Sequence, residues 1–208
     1  MKNPQEYLAR RVAELHAELR QQDVFVLAQK AGATWENGRF HLHIWSQPVT
    51  ITPPDFAAHG ADGQALDTFT QAMLAYYLHT TDGTPLAREW IAFTELPDGQ
   101  FYTAAFQGYT GNELAKAFGN GVEKLGETAV ALGGAPLPFA DCAYAFRVLP
   151  HVAVMVACWQ GDEDFPPSYR ILFDGNTSHH LPTDACAIIG STLTRRLIRG
   201  RGSTSREP

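Results

Sequence analysis

Residues 143–173 read AYAFRVLPHVAVMVACWQGDEDFPPSYRILF. Three runs in this stretch, at about 143–149, 152–159 and 169–173, read as β-strands. No helical pattern separates one run from the next, which favours antiparallel pairing over a doubly wound parallel sheet. The middle run, Val152–Trp159, is the longest uninterrupted apolar segment of the chain. It is far shorter than the roughly 20 residues that a membrane-spanning helix needs.

Outward from this stretch, groups of strands are interrupted by helices. Downstream, a helix is expected from Thr183 to about Arg199, with Ile189, Leu193 and Leu197 at i, i+4, i+8. Upstream, Thr110 and Glu113 form a capping-box pattern, and Leu114, Phe118, Val122 and Leu125 share one helical face before Gly133-Gly134. Gly119-Asn120-Gly121 falls inside that pattern and reads as a kink or helix end. Trp90–Thr94 and Phe101–Phe106 read as two strands joined across Pro97-Asp98-Gly99. Leu66, Phe69, Met73 and Tyr77 mark a helix closed by Asp82-Gly83.

At the N-terminal end, residues 3–21 read as a helix, with Asn3 as cap, Pro4 at the first position and Glu6 completing a capping box. Asp23 caps a shorter helix through Leu27 that ends at Gly32. Asn37-Gly38 is a hairpin turn, because both residues tolerate positive φ. Phe40, Leu42 and Ile44 then alternate with His41, His43 and Trp45, and Val49–Thr52 pairs alongside until Pro53-Pro54 stops it. The expectation is an α+β fold: a single domain over residues 1–199, a largely antiparallel sheet covered by several helices, and a disordered basic tail over 200–208.

A chain of 208 residues suffices for a full core. With 45% hydrophobic and 18% charged residues, the composition is globular rather than disordered. A formal net charge of −6 argues against nucleic acid and anionic lipid as partners of the whole domain. The polar N-terminus lacks the apolar region of a signal peptide. Cys142, Cys158 and Cys186 form no CxxC pair and no disulfide framework, so the cytoplasm is the expected location. Cys158, in the most apolar run, reads as a buried, inert thiol.

Several segments carry a likeness: Leu149-Pro150-His151-Val152, Trp159-Gln160-Gly161-Asp162-Glu163-Asp164-Phe165-Pro166, Ile171-Leu172-Phe173-Asp174 and Leu181-Pro182-Thr183. Together they resemble the C-terminal signature of a prokaryotic family catalogued as domain of unknown function 3786. Trp90-Ile91-Ala92-Phe93, Leu114–Gly119 and Leu132-Gly133-Gly134 are similar to its upstream pieces. The resemblance implies no activity or site residue. Some relatives carry an iron–sulfur module with clustered cysteines, and this chain has no such cluster.

Two constellations suggest metal chemistry. His41 and His43, at i and i+2 on a strand, share a face with Trp45 and form the best-organised imidazole pair. A third ligand would come from Asp174, His179 or His180. The second constellation is the acidic loop Asp162, Glu163 and Asp164 with Asp174, Asn176 and the same two histidines, whose bland alternative is a solvated turn. If the flanking strands form a hairpin, the loop and Asp174 fall at opposite ends. A third set is aromatic. Trp35, Trp45, Trp90, Phe93, Phe101, Tyr102, Phe106 and Trp159 would pack the core or line an apolar pocket. No GxGxxG, Walker, GxSxG or HExxH motif is present. The favoured expectation is a noncatalytic accessory protein that binds a small ligand, cofactor or protein partner. The alternative is a metal-dependent, hydrolase-like enzyme that uses the histidines and the acidic loop.

Overall fold

The computed structural model describes residues 4–202. The expected Asn3 cap and residues 203–208 of the expected tail lie outside the described residues. The fold is α+β, and its strands divide between two sheets, of four and five strands. The chain forms two compact units. The first runs to Pro85 and includes Leu149–His151 and His179–Pro182. The second holds Leu86–Val148, Val152–Ser178 and the chain from Thr183 onward.

In the first unit, α1 (Pro4–Leu19) buries Leu15 and Leu19. Then comes α2 (Val24–Ala31). Its start and stop follow the sequence signals. Asp23 Oδ1 accepts the N–H groups of Phe25 and Val26 at 2.8 and 3.1 Å, and Gly32 closes the helix at φ 60°. Gly32 is required twice over, since a Cβ there would also lie 2.8 Å from Pro150 Cβ. Asn37 and Gly38, at φ 50° and 74°, make the turn between β1 (Thr34–Glu36) and β2 (Arg39–Ile44). β2 pairs antiparallel with β3 (Gln47–Thr52). Trp45 and Ser46 make that turn at φ 51° and 63°, so Trp45 does not continue the strand face of His41 and His43. A fourth strand that the sequence pattern did not suggest, β4 (Ala57–Gly60), pairs with β3.

The third helix of this unit, α3 (Thr68–Thr80), starts at an Asp67 cap. Its buried side is Ala72, Leu74, Ala75, Tyr77 and Leu78. Phe69, expected on the inner stripe, is 61% exposed. Two of these buried residues are alanines, and α1 packs against the helix. A buried hydrogen bond from the Tyr77 hydroxyl to the Ala31 carbonyl, 2.8 Å, ties α3 to the end of α2.

The second unit is built on the sheet β5-β9-β8-β7-β6. The decisive stretch forms β7 (Cys142–Leu149), β8 (Val152–Trp159) and β9 (Ser168–Asp174), as its composition predicts. Every residue of β8 but Trp159 is buried, as its unbroken apolar run implies. The short β5 (Trp90–Ala92) pairs with β9, and β6 (Ala135–Pro136) pairs with β7. The helices α4 (Thr103–Tyr109), α5 (Gly111–Phe118), α6 (Val122–Ala131) and α7 (Thr183–Gly200) complete the unit. Ile189, Leu193 and Leu197 of α7 are buried as expected.

Three local expectations do not hold in the fold. Phe101–Phe106 is not a strand: a 3-10 turn over Gly99–Tyr102 leads into α4. Phe101 and Tyr102 are exposed while Phe106 is buried, so the segment has no period of two to support a strand. The strand expected through Thr94 stops at Ala92, where a 3-10 turn over Phe93–Glu95 begins. Gly99 folds back so closely that a Cβ would lie 1.9 Å from the Phe93 carbonyl oxygen. The capping box at Thr110 does not form either, because its hydroxyl donates to the carbonyl of Phe106 instead.

Candidate functional site

The metal ligands proposed from sequence are placed as follows. His41 and His43 lie on β2 with their side chains on the outer side of the sheet, opposite buried Phe40, Leu42 and Ile44. His41 Nε2 lies 3.4 Å from the Glu36 carbonyl. Asp174 ends β9 and is buried. Its carboxylate accepts three backbone N–H groups, from Ala87 at 2.9 Å, Arg88 at 2.8 Å and Asn176 at 3.0 Å. It therefore fastens the chain before β5 to the end of β9. β8 and β9 form an antiparallel hairpin, with Trp159 opposite Ser168 and Val154 opposite Phe173. The acidic loop and Asp174 thus sit at opposite ends of β9, roughly 20 Å apart at ~3.4 Å per residue. Asp162 Oδ1 accepts the N–H groups of Asp164 and Phe165 at 2.9 and 2.8 Å, which holds its carboxyl below the usual range and makes the loop an Asx turn. Asn120 clamps this loop by accepting the Gly161 N–H at 2.7 Å and donating to the Gly161 carbonyl at 3.2 Å. That is the role of the Gly119-Asn120-Gly121 break between α5 and α6. Among the described residues, no group of three or more His, Cys, Asp or Glu side chains is arranged to hold a metal ion.

What the first unit does bring together is a set of histidines distant in sequence. His179, which is exposed, places Nδ1 2.8 Å from Asp82 Oδ2. This bond and those from Thr84 hold the Asp82 carboxyl well below the usual range. The neighbouring His180 is fully buried. Its Nδ1 lies 2.8 Å from the Thr81 hydroxyl, which donates to the Lys30 carbonyl at 3.1 Å, and its Nε2 has no hydrogen-bond partner. The His151 ring stacks on it with centroids 5.3 Å apart. Burial, then the adjacent His151, push His180 down to about 4, and the pull of Asp82 and the Thr84 backbone does not offset them. In the sequence His180 qualifies as a ligand by residue type alone, and nothing local points to Asp82 or His151.

In the second unit, a groove of about 220 Å³ opens beside β5 and β9. Its floor is Phe93, Phe106, Ile171 and Leu172, and its rim carries Thr94, Ser168, Arg170 and Gln107. The Phe93 and Phe106 rings stack at 4.1 Å with planes 9° apart. Gln107 Nε2 donates to the Tyr169 carbonyl at 2.9 Å and so is fixed in place. Arg170 is exposed and has no carboxylate partner among the described residues. Phe93 and Phe106 belong to the aromatic set read from sequence. Phe101 and Tyr102 of that set are exposed, at 74% and 64%. None of the three cysteines is poised as a nucleophile: burial raises all three thiols, Cys142 to about 11.

A family model described as Domain of unknown function (DUF3786) matches residues 23–196. The chain belongs to this family. The DUF3786 match starts at the Asp23 cap of α2 and ends within α7, so both the histidine set and the groove fall inside it. No curated protein and no solved structure matches the chain. No helix among the described residues is long and apolar enough to cross a membrane.

Proposed function

We propose that the protein is a noncatalytic binding protein for a small organic acid, held in the groove of the second unit. The observation that carries this reading is an aromatic floor, Phe93 and Phe106, beside a cation, Arg170, that has no carboxylate partner among the described residues. Such a site suits a ligand with an apolar body and one anionic end. The guanidinium supplies a forked pair of donors for a carboxylate, and the rings take the apolar part. At about 220 Å³ the groove is smaller than the ~300–1,000 Å³ of drug-sized pockets, which points to a small metabolite.

A thermal-shift screen of small aromatic and aliphatic carboxylic acids tests this reading. An acid present at about 100 times its Kd stabilises by about 2.7 kcal/mol, which is a rise of roughly 5–10 °C for a chain of this size. The rise is expected in the wild type and should be absent in Arg170→Gln. If no acid raises the melting temperature, or if Arg170→Gln responds equally, the groove is not the site.

A second reading, an enzyme using the histidines, is favoured by one contact, the 2.8 Å pairing of His179 with Asp82. A carboxylate on one ring nitrogen orients an imidazole and leaves the other free for proton transfer. A hydrolytic activity found by screening and abolished in His179→Gln would support it, whereas one unaffected by that change would exclude this histidine.

A further inference from the structure

The outer surface of the four-stranded sheet concentrates donors in a chain whose net charge is −6. Arg39, His41 and His43 project from β2, Thr50 and Thr52 from β3, and His59 from β4. The register places Thr50 between His41 and His59, and Glu36 opposite Arg39. A hollow of about 230 Å³ on this surface is lined by Arg39, Thr50, Thr52, His59 and Gly63. None of those four polar side chains has a hydrogen bond or ion pair among the described residues, and Glu36 makes no ion pair with Arg39. Gly63, at φ 74°, carries no side chain into the hollow, and the nearby Asp62 carboxylate is engaged by the Gln64 N–H at 3.0 Å.

Four unmatched polar groups from three adjacent strands define the chemistry. A planar carboxylate gives two of its roughly four acceptor sites to the Arg39 fork, which leaves two in-plane sites for the two hydroxyls and the imidazole. A tetrahedral oxyanion offers oxygens in several directions and can accept from all four. The hollow has the volume of roughly eight waters at ~30 Å³ each, enough for a phosphate group and part of its hydration shell. We propose that this surface is a second binding site, specific for the phosphate group of a soluble small molecule. It is separate in residues and in ligand from the groove of the second unit.

Titration calorimetry of the full chain at low ionic strength, with inorganic phosphate and with glycerol 3-phosphate, tests the proposal. Saturable binding is expected. Arg39→Gln should weaken it about tenfold or more, because a charge-assisted contact is lost. Thr50→Val should weaken it by a smaller factor. Arg170→Gln should leave it unchanged, which separates this site from the groove. Arg39 is exposed, so an unchanged melt of Arg39→Gln will show that the loss is not one of folding. Co-sedimentation with vesicles containing phosphatidic acid separates a lipid source from a soluble one. Binding to vesicles without binding to the soluble phosphates would overturn the proposal, as would no phosphate binding at millimolar concentration. Equal affinity of Arg39→Gln and wild type would overturn it as well.

Discussion

Acidification should destabilise this protein through His180. The imidazole is fully buried beside His151, and its pKa is pushed down to about 4 from an ordinary value of 6.5. A histidine held neutral in the fold contributes stability that is fully present above 6.5. That contribution is lost as pH falls toward 4, because the unfolded chain takes up the proton first. The full difference of about 2.5 units corresponds to about 3 kcal/mol, and at pH 5 about 2 kcal/mol of it is already gone. Since domains are stable by only about 5–15 kcal/mol, the effect is measurable. Urea unfolding at fixed ionic strength from pH 7.5 to 5 gives the profile. His180→Leu removes the titrating group, so the stability gap between wild type and variant should move by about 2 kcal/mol in the variant's favour between those two pH values. Imidazole resonances followed by NMR report the site directly. Parallel pH profiles for the two proteins, or a His180 resonance titrating near 6.5, would refute the reasoning.

Asp174→Ala should cost about 3 kcal/mol or more, because three backbone N–H groups lose a buried charged acceptor, and a denaturation curve within 1 kcal/mol of wild type would count against this role. Gly190→Ala should destabilise by about 1–3 kcal/mol, since its Cβ would sit 2.6 Å from the Phe106 ring. The same change should weaken any ligand bound in the groove, because Phe106 is part of its floor. Ser46→Gly should stabilise by about 0.5–1 kcal/mol by relieving a non-glycine residue at φ 63°, measured as a rise in the urea midpoint. Truncation after Pro182 removes buried Ile189, Leu193 and Leu197, each worth about 1.5–3 kcal/mol, and should leave no cooperative melt.

Much of the framework was legible in the sequence because its signals are local. Asp23 and Gly32 bracket α2, Asn37-Gly38 dictates the first hairpin, and the apolar run of β8 requires burial on both sides. Each of these rests on interactions a few residues apart, and the family likeness likewise rests on contiguous segments such as Trp159–Pro166. Where local signals were weak, tertiary packing decided. Phe101–Phe106 is too short and too irregular to distinguish helix from strand by pattern, and the buried side of α3 followed its alanines rather than Phe69. The division of the strands between two sheets is likewise a matter of pairing, which periodicity does not specify. The candidate sites are less legible still. Asp82, His151, His179 and His180 come together from three segments of the chain, and the groove joins Phe93, Phe106 and Arg170 from β9 and the turns and helix before it. His41 and His43 could be aligned from strand geometry alone, but His59 joins their surface only through β4, which the sequence pattern did not reveal. Side-chain alternation, caps and turns are properties of neighbours along the chain. A binding site is a property of neighbours in space, and only the folded backbone supplies those.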